Sequence, residues 1–142
     1  MCASEFLRCE LYRDWFGTNT SPGVGLYDNY DISVQIDSIL FYLQYLTYRE
    51  LHQEPKQTEA LMKLMKLIFT EIYKSTRFHI PCVAHGFFNT SLNMLGHCYE
   101  LENMLELGWN TYKTSVQLLI EGNAAALHIA RLLWRVDQRL QS

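Results

Sequence analysis

The chain lacks an excess of charge of either sign: 12 Lys and Arg stand against 15 Asp and Glu, a formal net charge of −3. With no basic stripe, the electrostatic footprint of nucleic-acid binding is missing. Long apolar runs are missing as well; none reaches the roughly 18 uninterrupted residues of a membrane span. The opening "MCASEFLRCELYRDWFG" has no basic start followed by an unbroken apolar stretch, so no signal peptide is expected. The closing "LLWRVDQRLQS" is polar and charged, so no membrane anchor is expected in this chain. Cysteine is sparse, with Cys2, Cys9, Cys82 and Cys98 at spacings that match neither a zinc pattern nor a disulfide framework. Free thiols in a reducing compartment are the expectation.

Signatures of chemistry are equally thin. There is no glycine-rich phosphate loop, no nucleophile elbow, and no strand pattern to carry one. Carboxylates are scattered, and no pair is set in an apolar pocket by sequence alone. Among five histidines, "HCYELE" with His97 and Glu100 is the best local case for a metal. A di-metal bundle needs a second Glu-x-x-His motif and further carboxylates, and none is present. Hydrogen-bonded, partly buried histidines are the plainer reading. No enzyme activity, metal or cofactor is expected.

What is present is helical periodicity. At 142 residues, 49% hydrophobic and 19% charged, the chain suits one domain, residues 1–142, around a single core. A first segment over 3–16 places Phe6, Leu7, Leu11 and Trp15 on helical spacing, and "GTNTSPGVG" ends it. A second segment opens at Asp31 as N-cap, with Ile32, Ile36, Ile39, Leu40, Leu43 and Leu46 as its inward stripe. "HQEPKQ" interrupts. A third, from Thr58, turns Leu61, Leu64, Met65, Ile68 and Ile72 inward, with Lys63, Lys66 and Lys74 near the opposite face. The fourth starts at Pro81, a residue suited to a first helical turn. It is apolar nearly all round, as befits a helix that others wrap, and Ala84, Gly86, Ser91 and Gly96 allow close approach. Gly108 is expected to break the chain before a helix over 109–120. "EGN" then turns into a last amphipathic helix over 124–139, with Leu127, Leu132, Leu133 and Val136 inward. The expected architecture is all-α: a hydrophobic central helix wrapped by amphipathic ones.

Several stretches of this chain resemble the homology regions of the Bcl-2 family of apoptosis regulators. Residues 71–92, "EIYKSTRFHIPCVAHGFFNTSL", align without a gap to the family's first region. Glu71, Val83, Ala84, Phe88 and Leu92 match there, and Ile72, Tyr73 and Lys74 are conservative changes. Ile32 to Asp37 is similar to the third region, Leu119 to Ala126 to the second, and "SEFLRCELYRDWF" to the amphipathic fourth. The four lie in the family's order along nearly the whole chain. The departures are specific. Phe78, His79, Ile80 and Pro81 stand where the family has Asn-Trp-Gly-Arg, so the arginine that pairs with a ligand helix's aspartate is absent. Ile36 stands where the third region has glycine, which makes that segment a poor ligand and the chain a receptor.

The resemblance implies a Bcl-2-like helical bundle, a compact viral pro-survival homologue of the iridovirus kind. It implies an inhibitor of apoptosis that sequesters the death-motif (BH-3) helix of pro-apoptotic proteins, Bim-like ligands first, in a hydrophobic groove. Carried across, the groove lining is Ile39, Tyr42, Leu43, Ile68, Ile72, Phe78, Val83, Ala84 and Phe88, with Arg77 or His79 as substitutes for the lost arginine and Leu133 closing one end. Core packing is the competing reading for each of these residues. The implied location is the host cytoplasm, associated with mitochondria through partners. A helical adaptor or scaffold, homodimeric or larger and without a groove, is the alternative from another class.

Overall fold

The computed structural model describes residues 6, 8–10, 36–78, 85–118 and 123–141; the side chains of 75–78 and 85–87 fall outside that description. Among the described residues the fold is all-α, six helices packed as a bundle with no strand. Helix α1 is seen at residues 6 and 8–10. It is followed by α2 (Ile36–Glu50), α3 (Glu54–Phe78), α4 (His85–Leu101), α5 (Leu105–Leu118) and α6 (Ala125–Gln141). None of the described helices is long and apolar enough to cross a membrane.

Helix α4 is the axis. Every residue from 88 to 100 is buried, and α2, α3, α5 and α6 all pack against it. The expectation of a wrapped central helix beginning in this stretch holds, although Pro81 itself lies outside the described residues.

Two helical hairpins are closed by the same device. His52 and Asn103 both adopt the left-handed conformation, with φ of 54° and 60°. At the first, Gln53 N–H reaches back to the Tyr48 carbonyl (2.8 Å) and His52 N–H to that of Arg49 (3.1 Å). At the second, Met104 N–H bonds the Tyr99 carbonyl (2.8 Å) and Asn103 N–H that of Glu100 (3.0 Å). These paired bonds satisfy the orphan carbonyls of a helix end, a geometry glycine usually supplies and asparagine tolerates. The third segment therefore begins at Glu54, four residues before the expected Thr58. Pro55 sits in its first turn, where a missing N–H leaves no helical bond unmade.

Gly108 corrects a second expectation. It lies inside α5, buried, where an added Cβ would come within 3.3 Å of the Gly96 carbonyl oxygen. On the facing helix, a Cβ on Gly96 would lie 2.6 Å from a ring carbon of Tyr112. The two glycines let α4 and α5 cross at close quarters; the break falls at Asn103 instead, where the backbone reverses. At the far end of α5, the Asn123 side chain accepts the Ala125 N–H (2.9 Å) and satisfies one free donor at the start of α6.

Candidate functional site

The residues expected to line a groove divide sharply. Tyr42, Ile68 and Phe88 are buried in the core, and Ile39 and Ile72 are half-buried against it. Leu43 faces solvent. Arg77 and Phe78 are helical at the end of α3, their side chains undescribed, and His79, Val83 and Ala84 lie outside the described residues.

Helix α2 is turned relative to expectation. Its buried face is Ser38, Tyr42 and Tyr45, while Ile36 is 81% exposed, Leu43 is 52% exposed and Leu40 is exposed too. At 100° per residue this is a rotation of roughly a third of a turn from the aliphatic stripe. The reason lies on α4. Ser91 donates to Ser38 Oγ (2.9 Å), and the Tyr42 hydroxyl shares a 2.6 Å hydrogen bond with His97 Nδ1. The Tyr45 hydroxyl donates to Glu102 Oε1 (2.5 Å), which also accepts from Gln57 Nε2 (2.5 Å). Buried polar groups on α4 cost several kcal/mol if unpaired, of the order of what an aliphatic contact returns. The hydroxyl-bearing face therefore turns inward and the aliphatic one outward.

Helix α3 shows the expected inward set, with Leu64 and Ile68 buried and Leu61, Met65 and Ile72 packed beside them. It also carries an outward ridge that the periodicity conceals. Met62 is 64% exposed, Phe69 54% and Tyr73 60%. These residues and exposed Lys66 recur at i, i+4, i+7 and i+11, on one line opposite the buried Ala60, Leu64 and Ile68. Helices α2 and α3 thus each present an apolar ridge to solvent.

Helix α6 departs in another way. Ala125, His128 and Leu132 are buried, but Leu133 and Val136, expected inward, are exposed together with Trp134 and Leu140. Residues 136–141 are exposed throughout, although Arg139 Nη1 still donates to Asn103 Oδ1 (3.2 Å) between α4 and α5.

The interior holds what the sequence reading missed. Helix α4 buries Asn89, Thr90, Ser91, Asn93, His97 and Glu100. Four rings stack in a row from His97 through Phe6 and His128 to Tyr112, with centroids 4.8, 4.9 and 5.0 Å apart and planes within 17° of parallel. The row ties α1, α4, α5 and α6 together. His128 Nε2–H donates to Glu10 Oε1 (3.0 Å), which also accepts from Asn93 Nδ2 (3.0 Å). Asn123 joins this group through Asn93 Nδ2 (3.2 Å) and through its own donation to the Ser115 carbonyl (2.8 Å).

A second cluster surrounds Glu100, whose side chain is completely buried. It accepts from the Tyr112 hydroxyl (2.6 Å), from Arg135 Nη1 (2.9 Å) and from Arg131 Nη2. Glu10 and Glu100 are thus a pair of buried carboxylates on α1 and α4, which sequence spacing could not bring into view. The one available signal was the run "NTSLNMLGHCYE", which puts Asn89, Thr90, Asn93, His97 and Glu100 on one side of a helix expected to be apolar nearly all round.

Burial sets the protonation of these groups. It holds His97 down to about 3, with the positive charge of Arg131 adding to the effect, so the ring is neutral at neutral pH. Burial also pushes Tyr42, Tyr112 and Cys98 well up. Tyr45 is raised by burial first and by its bond to Glu102 second. A neutral imidazole and protonated hydroxyls can cross-brace helices through neutral hydrogen bonds. Among the described residues no group of three or more His, Cys, Asp or Glu is placed to hold a metal ion.

Compared with known proteins, the chain matches no family model, no curated protein and no solved structure.

Proposed function

We propose that this chain works by capturing an amphipathic helix of another protein on the outer face of the α2–α3 hairpin. In that reading the captured segment is the death-motif (BH-3) helix of a pro-apoptotic protein, and its sequestration restrains apoptosis. One observation carries the capture: aliphatic and aromatic side chains of α2 (Ile36, Leu40, Leu43) and α3 (Met62, Phe69, Tyr73) stand in solvent at helical spacing. A partner helix engages such a surface through its own i, i+3/i+4, i+7 anchors. Each Leu, Ile or Phe taken fully out of water contributes about 1.5–3 kcal/mol. A few anchors therefore offset the several kcal/mol that association costs. The choice of partner rests on the sequence resemblance across residues 71–92. Because Tyr42, Ile68 and Phe88 are core residues, the capturing surface in this reading is the outer face and not a cleft floored by α4.

The test is a panel of fluorescent death-motif helix peptides titrated with the protein and followed by anisotropy. Binding at or below tens of micromolar, about −6 kcal/mol or better, that weakens in Leu43→Ala and Phe69→Ala supports the reading. No binding in that range by any member of the panel sinks it.

A second reading, self-association into a scaffold, is favoured by the exposed end of α6 with Leu133, Trp134 and Leu140. Sedimentation separates the two. A scaffold's mass exceeds that of one chain without peptide and does not respond to it, and Leu133→Glu returns it to monomer.

A further inference from the structure

Phe6 and Glu10 are both buried, and each bridges α4 and α6. The Phe6 ring stacks on His97 of α4 (4.8 Å) and on His128 of α6 (4.9 Å), and it tilts against Tyr42 of α2 (5.3 Å). One turn on, Glu10 Oε1 accepts from His128 Nε2 of α6 and from Asn93 Nδ2 of α4, both at 3.0 Å. The start of α6 is therefore joined to α4 across α1, with the Asn93–Asn123 bond (3.2 Å) beside it. The following turns are joined to α4 differently, through Arg131 and Arg135 on Glu100. We infer that α1 is a releasable strap. When it undocks, the first turns of α6 loosen with it, while Arg131 and Arg135 keep the rest of the helix pinned to Glu100.

The chemistry of the slot sets which seam opens first. Its walls are two imidazoles and an amide, groups that water solvates. On undocking, each hydrogen bond to Glu10 is exchanged for one to water, a small net change per bond. The docked slot also buries His97 Nε2, His128 Nδ1 and Asn93 Oδ1 without partners among the described residues. Water satisfies them once the slot opens, which offsets part of the cost. Among the described residues of α1, Phe6 is the single large apolar side chain that opening exposes. Helix α3 stands in contrast, with Ala60, Leu64 and Ile68 in one apolar cluster with Leu92 and Leu95. Water replaces none of those contacts. Local opening follows the seam with the least buried apolar surface, and that seam runs along α1. Once α1 leaves, His128 keeps its stack on Tyr112 (5.0 Å) and loses both its ring contact with Phe6 and its acceptor.

The experiment is native-state hydrogen exchange on the full chain in low urea, read residue by residue. Amides of residues 8–10 and 127–130 are expected to exchange together, through an opening less urea-dependent than global unfolding. Amides at 42–48 and 64–68 are expected to exchange only with global unfolding. Phe6→Leu keeps an apolar side chain but removes both ring stacks. It should speed exchange at 8–10 and 127–130 about three- to tenfold beyond any change at 64–68. If α1 amides exchange only with global unfolding, α1 is no strap. If Phe6→Leu speeds 8–10 alone, α1 does not hold α6. If it speeds all helices equally, α1 belongs to the common core; each of these results overturns the inference. Should circular dichroism show that Phe6→Leu has lost its helices, the urea dependence in the unmodified chain decides.

Discussion

The axis of this bundle and the outer face of its α2–α3 hairpin invert the usual sorting of side chains. Residues 88–100 of helix α4 are sealed from solvent yet include two asparagines, a serine, a threonine, a histidine and a glutamate. The hairpin's outer face is in solvent yet carries Ile36, Leu40, Leu43, Met62, Phe69 and Tyr73. The two are linked. Polar groups on a buried helix need partners, and α2 supplies hydroxyls from the face it turns inward, so its aliphatic face is left outside. A ranking of residues by hydrophobicity misorders both regions; the hydrogen bonds that Ser91, Asn93, His97 and Glu100 make to other helices account for their burial.

The most severe way to break this arrangement is at Glu100. Glu100→Ala leaves the buried Tyr112 hydroxyl and the part-buried Arg131 and Arg135 without their acceptor, which costs about 1–3 kcal/mol for the lost hydrogen bonds to a charged group. Urea denaturation would read it directly. A loss under 1 kcal/mol would mean that water reaches the arginines and that the cluster does not brace α6 to α4.

Acid attacks the same interior through His97. Its pKa is about 3 in the folded chain, below the ordinary 6.5. Between those values the unfolded chain binds the extra proton, so this contribution to stability is complete above pH 6.5 and lost as pH falls toward 3. The expected loss from this group is several kcal/mol, seen as a falling urea midpoint over that window. His97→Gln should flatten the slope; an unchanged slope would assign the acid sensitivity to other groups.

Gly96→Ala tests the close crossing of α4 and α5. The new methyl would lie 2.6 Å from the Tyr112 ring, and the ring is held by its stack on His128 and its bond to Glu100. Overpacking of this kind costs about 1–3 kcal/mol, less what alanine returns as a better helix former. A neutral or stabilising result would show that the ring has room to shift.

The outer face should respond in the opposite sense. Leu43→Ala and Phe69→Ala remove exposed side chains, so stability should move by no more than about 0.5 kcal/mol, while peptide capture weakens. Equal losses in melting temperature and in binding would place these residues in the core of the fold's energetics and remove the contrast.

Much of this organisation was legible in the chain. The inward set of α3, Leu64 and Ile68 among it, emerged from spacing because it packs into an ordinary apolar cluster with residues such as Leu92 and Leu95. The central helix was legible from its want of charge before Glu100. Three features were not. The rotation of α2 depends on which residues of α4, 50 and more positions away, need hydrogen bonds. The role of Gly108 depends on Gly96 standing opposite it across a helix crossing. The exposure of Leu133 and Val136 depends on which side of α6 the other helices cover, the side of Ala125, His128 and Leu132.

By itself, then, the sequence determined an all-α chain, its helical segments and the one helix that must be enclosed, because periodicity and breakers act over a few residues. Only the tertiary structure decided which face of α2 goes inside, that Glu10 meets His128 and that Glu100 meets two arginines. Those choices are settled by pairing buried polar groups across helices, and local spacing holds no record of which groups will meet.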